Sequence, residues 1–332
     1  MSRPYYALEN EHMLSDGKSN EVHGIACNVM PEMPHGREGG VLTLGEAGRH
    51  MAIAGSVAAA MVQPRQGKFY YLALDAKMSR KPFKGINSSI DDDRTEVLPQ
   101  KYASIFAKCI DMGGDSQKSR HCSSEITLEI SPDEDAWFLE VSYYMIPARV
   151  FRKMFGETDA ETIARMKGAD SPYTSFCGLP NAIEIIDGSD TSISCHTTLP
   201  PPRAEDCLGH FEKTPALPIA YSTSFFSDLM AQAISELSGV PIAFRARGEK
   251  VEDTNTAFII CKSIQVKAEE LVFARSFGQR VECDVELLSE QDDPVLNYTC
   301  ESFFRANIRA IKEDGSGEVV FKGEFLWQMV TK

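Results

Sequence analysis

Residues 42–61 read LTLGEAGRHMAIAGSVAAAM, a stretch whose small and apolar residues fall on nearly every face of a helical projection. A helix that is apolar almost all round belongs in an interior, and this one ends at the turn signal Gln63-Pro64. A second stretch of the same kind, residues 224–238 (SFFSDLMAQAISELS), ends at Gly239-Val240-Pro241. Two buried helices in one chain need two surfaces to cover them.

Those surfaces are legible as strands. After the first helix come residues 69–78, 102–111, 124–130 and 136–145, rich in aromatic and β-branched side chains; after the second come 257–268, 271–277, 279–288, 295–310 and 318–329. The order of one helix and then a long antiparallel meander thus occurs twice. A sheet wrapped round a central helix is the economical way to bury such a helix, so the fold class is α+β. A short internal repeat agrees: Ile25-Ala26-Cys27-Asn28 and Ile193-Ser194-Cys195-His196 lie about half a chain apart, each ahead of a proline and then a helix. Residues 151–181, a charged helical stretch followed by SPYTSFCGLPN, read as the linker, which gives halves of 1–165 and 166–332.

Composition narrows the function. With 332 residues and 43% hydrophobic content the chain can bury two ordinary cores. Its formal charge of −14 sets a repulsive field before phosphate backbones and anionic lipid, which argues against nucleic acid and membrane as general partners. An acidic carrier protein would need a local basic patch. No apolar run reaches the roughly 18 residues of a membrane span, and no basic-then-apolar leader opens the chain, so a cytoplasmic location is expected. Nine cysteines without any C-x-x-C pair read as reduced thiols, not as a disulfide frame or zinc site. The acidic run of residues 87–94 lacks the alternating ligands of a calcium loop. No Gly-rich phosphate loop or dinucleotide fingerprint is present, so neither cofactor nor metal is expected.

The segment that points to chemistry is GHFEKTPALPIAYSTSFFSDLMAQ, residues 209–232. His210, Phe211, Pro215 and Pro218 fall at the spacings of the β-hydroxyacyl-ACP dehydratase hotdog family, which the segment resembles. Ile219 stands where that family has Gly, and in gapless register the family's helix carboxylate falls on Ser224. Asp228 comes one turn later, and Asp228-Leu229-Met230-Ala231-Gln232 is similar to the Asp-x-x-x-Gln of polyketide synthase dehydratase domains. In the first half, Gly39-Gly40-Val41-Leu42 followed by Glu46 resembles the same family's approach to its helix Glu, and also the Gly-Gly approach and helix acid of hotdog thioesterases.

The resemblance implies a double hotdog arranged as a pseudo-dimer and a substrate that is an acyl thioester on ACP or CoA. It also implies a carrier or synthase partner, leaves a homodimer open, and pairs the His of one half with the carboxylate of the other: His210 against Glu46, with Asp228 as the alternative acid. Dehydrating a 3-hydroxyacyl thioester needs a base for the α-proton, an acid for the leaving hydroxyl and a donor to the thioester oxygen. His210 suits the base, Glu46, its pKa raised by burial, the acid, and the helix N-terminus near Gly40–Gly45 the donor. His50 on the same face as Glu46 is better read as a core histidine. His35 and His196 are weaker candidates, and Cys207 reads as a small core residue. A thioesterase, with Glu46 or Asp228 activating water or attacking the carbonyl, and a non-catalytic acyl binder are the rival readings.

Overall fold

The computed structural model describes residues 7–15, 22–30, 32–33, 36–39, 42–63, 67–80, 103–112, 120–129, 136–156, 159–167, 183–198, 210, 219–244, 257–269, 280–288, 301–312 and 316–331. Their strands are β1 (Leu8–Ser15), β2 (Val22–Val29), β3 (Phe69–Arg80), β4 (Ala103–Asp111), β5 (His121–Glu129), β6 (Ala136–Pro147), β7 (Glu184–Gly188), β8 (Ser192–Thr198), β9 (Ala257–Ala268), β10 (Arg280–Leu288), β11 (Glu301–Ile311) and β12 (Val319–Thr331). The helices are α1 (Leu44–Val62), α2 (Ala148–Phe155), α3 (Ala160–Lys167) and α4 (Ile219–Ser238). The expected strand over 271–277 lies outside the described residues. β1 and β7, both on outer edges, were not legible as strands: β7 is exposed at all five positions and shows no buried face.

All twelve strands form one sheet in the order β1-β2-β4-β5-β6-β3-β9-β12-β11-β10-β8-β7. The order is a palindrome, because reading outward from the middle gives the same succession of strands in each half. The sequence led us to expect two separate sheets. They are instead joined by antiparallel pairing of β3 with β9, from Asp75↔Lys267 to Ser79↔Ser263. The join has a physical reason: unpaired, β3 and β9 would each present an open row of backbone donors and acceptors. The repeated tetrapeptides fall on β2 and β8, each the second strand in from its edge.

α1 starts two residues later than its apolar run, because the Thr43 hydroxyl caps it, accepting from the Glu46 N–H at 3.2 Å. The helix packs on β2, β4 and β5. Gly55 permits the closest approach: a Cβ there would lie 2.5 Å from the Tyr143 hydroxyl. That hydroxyl donates to the Ala52 carbonyl at 2.8 Å, and Ser124 donates to the Gly55 carbonyl at 3.0 Å, so the sheet holds the helix by polar as well as apolar contacts.

α4 begins at Ile219, ahead of the expected start at Ser224. The run Ser222-Thr223-Ser224 looks like a start signal, yet these three residues lie inside the helix and are buried. Phe226 stacks on Phe321 at 5.1 Å and Trp327 lies under Met230, with its indole N–H 3.1 Å from the sulfur. Burying one such aromatic side chain contributes about 2 to 3 kcal/mol. α1 and α4 also touch each other, which brings the two halves' helices into one interior. In the linker the expected single helical stretch is divided into α2 and α3 by Gly156, whose φ of 74° ends α2.

Candidate functional site

Glu46 sits in the first turn of α1, 1% exposed. As the chain leaves β2 for α1, the backbone N–H groups of Glu32 and Met33 both donate to Glu46 Oε1, the second at 3.0 Å. His50 Nε2 lies 3.7 Å from the same oxygen, one turn along the helix. Arg49, fully buried, pairs through Nη2 with the Glu32 carboxylate and lies 3.2 Å from His50 Nε2.

These neighbours decide the charge of Glu46. Burial pushes its pKa up, but His50, the Glu32 N–H and the Arg49 guanidinium together hold the carboxyl below the ordinary carboxylate range. The expectation that burial keeps Glu46 protonated is therefore corrected: a carboxylate that accepts two backbone N–H bonds stays ionised. Burial and the adjacent Arg49 depress His50, which is neutral at pH 7.

A second cluster crosses between the halves. Residues 36–39 leave the first half and dock on β9, where Glu38 bridges Ile259 in parallel, Gly39 N–H donates to the Ile259 carbonyl at 2.8 Å and Ile259 N–H to the Arg37 carbonyl at 3.2 Å. Gly39 is required there, since a Cβ would come within 2.1 Å of the Phe258 ring. This docking aims Arg37 at α4: its Nε donates to Asp228 Oδ1 at 2.9 Å and its Nη1 to the Ile242 carbonyl at 2.6 Å. Asp228, 5% exposed, also accepts from Gln232 at 3.1 Å, so the acid-x-x-x-Gln pair forms one turn of α4.

Glu38 is the functional candidate that sequence reasoning missed. Its carboxylate is 5% exposed and accepts from the Leu44 N–H at 2.7 Å, at the start of α1. Burial pushes its pKa up to about 7, against the opposing pull of the Leu44 N–H, of the Ser227 hydroxyl and of Arg80. Glu38 thus joins the start of α1 to β9 of the other half. An acidic residue placed directly before Gly39-Gly40 was the one available signal.

His210 is buried ahead of α4, 8% exposed. Its motif companions Gly209, Phe211, Pro215 and Pro218 lie outside the described residues, as do His35, Gly40 and Cys207. The hydrogen-bonding partners of Glu46 come from its own half, whereas Asp228 is bound to the other half through Arg37. His196 pairs with Glu184 of the edge strand at 3.1 Å, apart from both clusters. A depression of about 460 Å³ on the β3–β6 surface, lined among others by Lys77, Phe106, Lys108 and Phe138, contains none of the candidate residues. Among the described residues no group of three or more His, Cys, Asp or Glu side chains is disposed to hold a metal, and no helix is long and apolar enough to cross a membrane.

The long antiparallel sheet laid against α1 and α4 fits a hotdog-type fold. No family model matches the chain, and no curated protein matches it in sequence. Among solved structures it is similar to a putative oleoyl thioesterase from Lactobacillus plantarum, at 12% identity and TM-score 0.47 over 95% of this chain and 99% of that one. It is also similar to the dehydratase domain of the polyketide synthase PpsC from Mycobacterium tuberculosis, at 9% identity and TM-score 0.46 over the whole of both chains. A third is a putative thioesterase from Novosphingobium aromaticivorans, at 12% identity and TM-score 0.44 over 98% of each chain.

Proposed function

We propose that the chain is a double hotdog, divided near residues 165 and 166, that processes acyl thioesters carried on ACP or CoA. The reaction we favour is dehydration of a β-hydroxyacyl thioester, or the reverse hydration, in a pathway of fatty-acid or polyketide type in the cytoplasm. The observation that carries the reading is the clasp between halves, in which Arg37 of the first half bonds Asp228 of α4 and Glu38 beside it docks on Ile259 of β9. A composite site of this kind needs both halves.

In this reading His210 removes the α-proton, and the carboxyl that protonates the leaving hydroxyl is one that still holds a proton near neutrality. Glu38, with a pKa of about 7, fits that role better than ionised Glu46. Glu46 then fixes the approach to α1, and Asp228, bonded to Gln232, is the alternative acid. No cofactor enters the scheme.

A thioesterase is the second reading, favoured by one observation. A buried carboxylate kept ionised, as Glu46 is, suits activation of water or attack on a carbonyl more than donation of a proton. Incubation with 3-hydroxyacyl and with saturated acyl thioesters on both ACP and CoA, followed by intact mass spectrometry, separates the two. Loss of water supports the dehydratase and release of free acid the thioesterase, while an unchanged acyl group on bound carrier leaves a binder. His210→Ala and Glu38→Gln are each expected to lower dehydration by about a hundredfold or more. If both variants retain full dehydration, the assignment of base and acid is wrong.

A further inference from the structure

The surface around α2 departs from the charge of the rest of the molecule. The chain carries −14 overall, yet the eight residues of α2, ARVFRKMF, hold three cations and no acid. Arg149, Arg152 and Lys153 are all exposed. Two further cations stand at strand ends close by, Lys68 ahead of β3, on which α2 packs, and Arg120 ahead of β5, bonded to β6. The Lys68 carbonyl accepts from Ala148 N–H at 2.9 Å, and the Arg120 carbonyl accepts from Met145 N–H. Arg120 also donates to the Tyr144 hydroxyl at 3.2 Å. The nearest acids along the chain that are described, Asp159 and Glu161, belong to α3, and Asp159 is engaged in capping Thr162 at 2.8 Å.

Apolar side chains are exposed within this patch. Val150 is 42% and Met154 46% exposed, one helical turn apart and so on one face. α2 is nevertheless firmly seated, because Phe151 is fully buried against Ile146 and packs in a tilted ring contact with Tyr70 at 4.3 Å. A preorganised helix that shows a short apolar stripe among five cations suits an acidic, partly apolar protein surface.

We infer that the α2 surface is the docking site for an acidic acyl carrier protein, with Arg149, Arg152 and Lys153 meeting its acidic face and Val150 and Met154 its apolar centre. The inference rests on the acyl-thioester reading above and adds to it the place where the carrier binds. Charge complementarity selects the occupant, since a net-acidic chain as a whole repels an acidic protein, which a local excess of cations attracts. The patch also lies at the opposite end of α1 from Glu46. Gln63 at the end of α1 touches Met145, three residues before the start of α2, and Glu46 lies about 25 Å back along the helix axis.

The test titrates the full-length protein with phosphopantetheinylated acyl carrier protein in biolayer interferometry over a range of potassium chloride. Binding is expected to weaken steadily with salt. The triple variant Arg149→Glu, Arg152→Glu, Lys153→Glu should weaken it about tenfold or more, and Val150→Ser with Met154→Ser by a smaller factor. Circular dichroism and the urea midpoint check that the variants fold, and the milder Arg149→Gln, Lys153→Gln pair serves if the triple variant does not. For substrate on the carrier KM should rise, while kcat and KM for the CoA-linked substrate stay unchanged. Carrier binding that ignores both sets of charge variants overturns the proposal. So does absence of carrier binding, or loss of binding only to phosphatidylglycerol-containing phosphatidylcholine vesicles. Because binding is read without turnover, a chain that docks the carrier through α2 yet dehydrates nothing refutes the reaction and leaves the surface standing.

Discussion

The two helix carboxylates at the centre of the molecule are held in opposite ways. Glu46 on α1 is secured locally, by the backbone of the segment entering its own helix and by His50 one turn on. Asp228 on α4 is secured from a distance, by Arg37, which comes from the other half and is itself 28% exposed. The first arrangement makes the carboxylate part of the fold of one half, and the second makes it part of the union of the two. Removing either should therefore break different things.

The largest effect is expected at Glu46. Glu46→Ala leaves two backbone N–H groups without their acceptor and takes away a negative charge beside buried Arg49. Breaking a buried, hydrogen-bonded charge cluster in this way costs about 4 kcal/mol. Urea denaturation should show a lower midpoint with an unchanged slope. Asp228→Ala should cost clearly less, because Arg37 can turn toward solvent. Equal losses at the two positions would erase the distinction between local and cross-half anchoring.

How legible this was differs by level. The two interior helices could be read because no polar face interrupts them, and the central strands because aromatic and β-branched residues mark them. α4 was read short, since its buried hydroxyls imitate a helix start. The edge strands β1 and β7 were not read, because neither carries the alternation that a covered face imposes. Glu46 and Asp228 were visible as carboxylates on apolar helices, but the ionised state of Glu46 depends on backbone donors that only the folded turn supplies. Glu38 was overlooked for a related reason. What buries it is Ile259 on β9 and the start of α1, and no local pattern announces a bridge to a strand in the other half.

A second, somewhat smaller effect separates the clusters by pH. The folded-state pKa of Glu38, about 7, lies above its ordinary value of 4.5. In that interval the folded protein binds the extra proton, so the stability due to Glu38 is full below pH 4.5, falls as pH rises toward 7 and is lost above it. The total amounts to about 3 kcal/mol. Glu46 acts with the opposite sign, because its folded-state pKa is depressed. Its contribution is present above 4.5 and disappears as pH falls through the lowered value. Chemical denaturation at a series of pH values should show Glu38→Gln flattening the decline between 4.5 and 7 while leaving the acid limb in place. A decline that persists in Glu38→Gln would mean that some other group titrates there.

The smallest effect bears most directly on whether the halves work as one. The Arg37–Asp228 bond spans 191 positions of sequence at 2.9 Å, with the carboxylate buried and the guanidinium partly in solvent. Such a pair lies between an exposed ion pair, which contributes little, and a fully buried one, whose rupture is costly. A double-mutant cycle with Arg37→Met, which keeps the aliphatic stem, and Asp228→Asn, which keeps the contact with Gln232, isolates the pairwise contribution. The coupling should come to about 1 to 2 kcal/mol in the urea midpoint series. The Ile242 carbonyl, which Arg37 also serves, is lost in both Arg37 variants and cancels from the cycle. Glu46→Gln combined with Arg37→Met provides the contrast, because these side chains share no partner and should add within a few tenths of a kcal/mol. Additive behaviour at Arg37 and Asp228 as well would show that the contact does not bind the halves together, and the composite site would then have to rest on Glu38 alone.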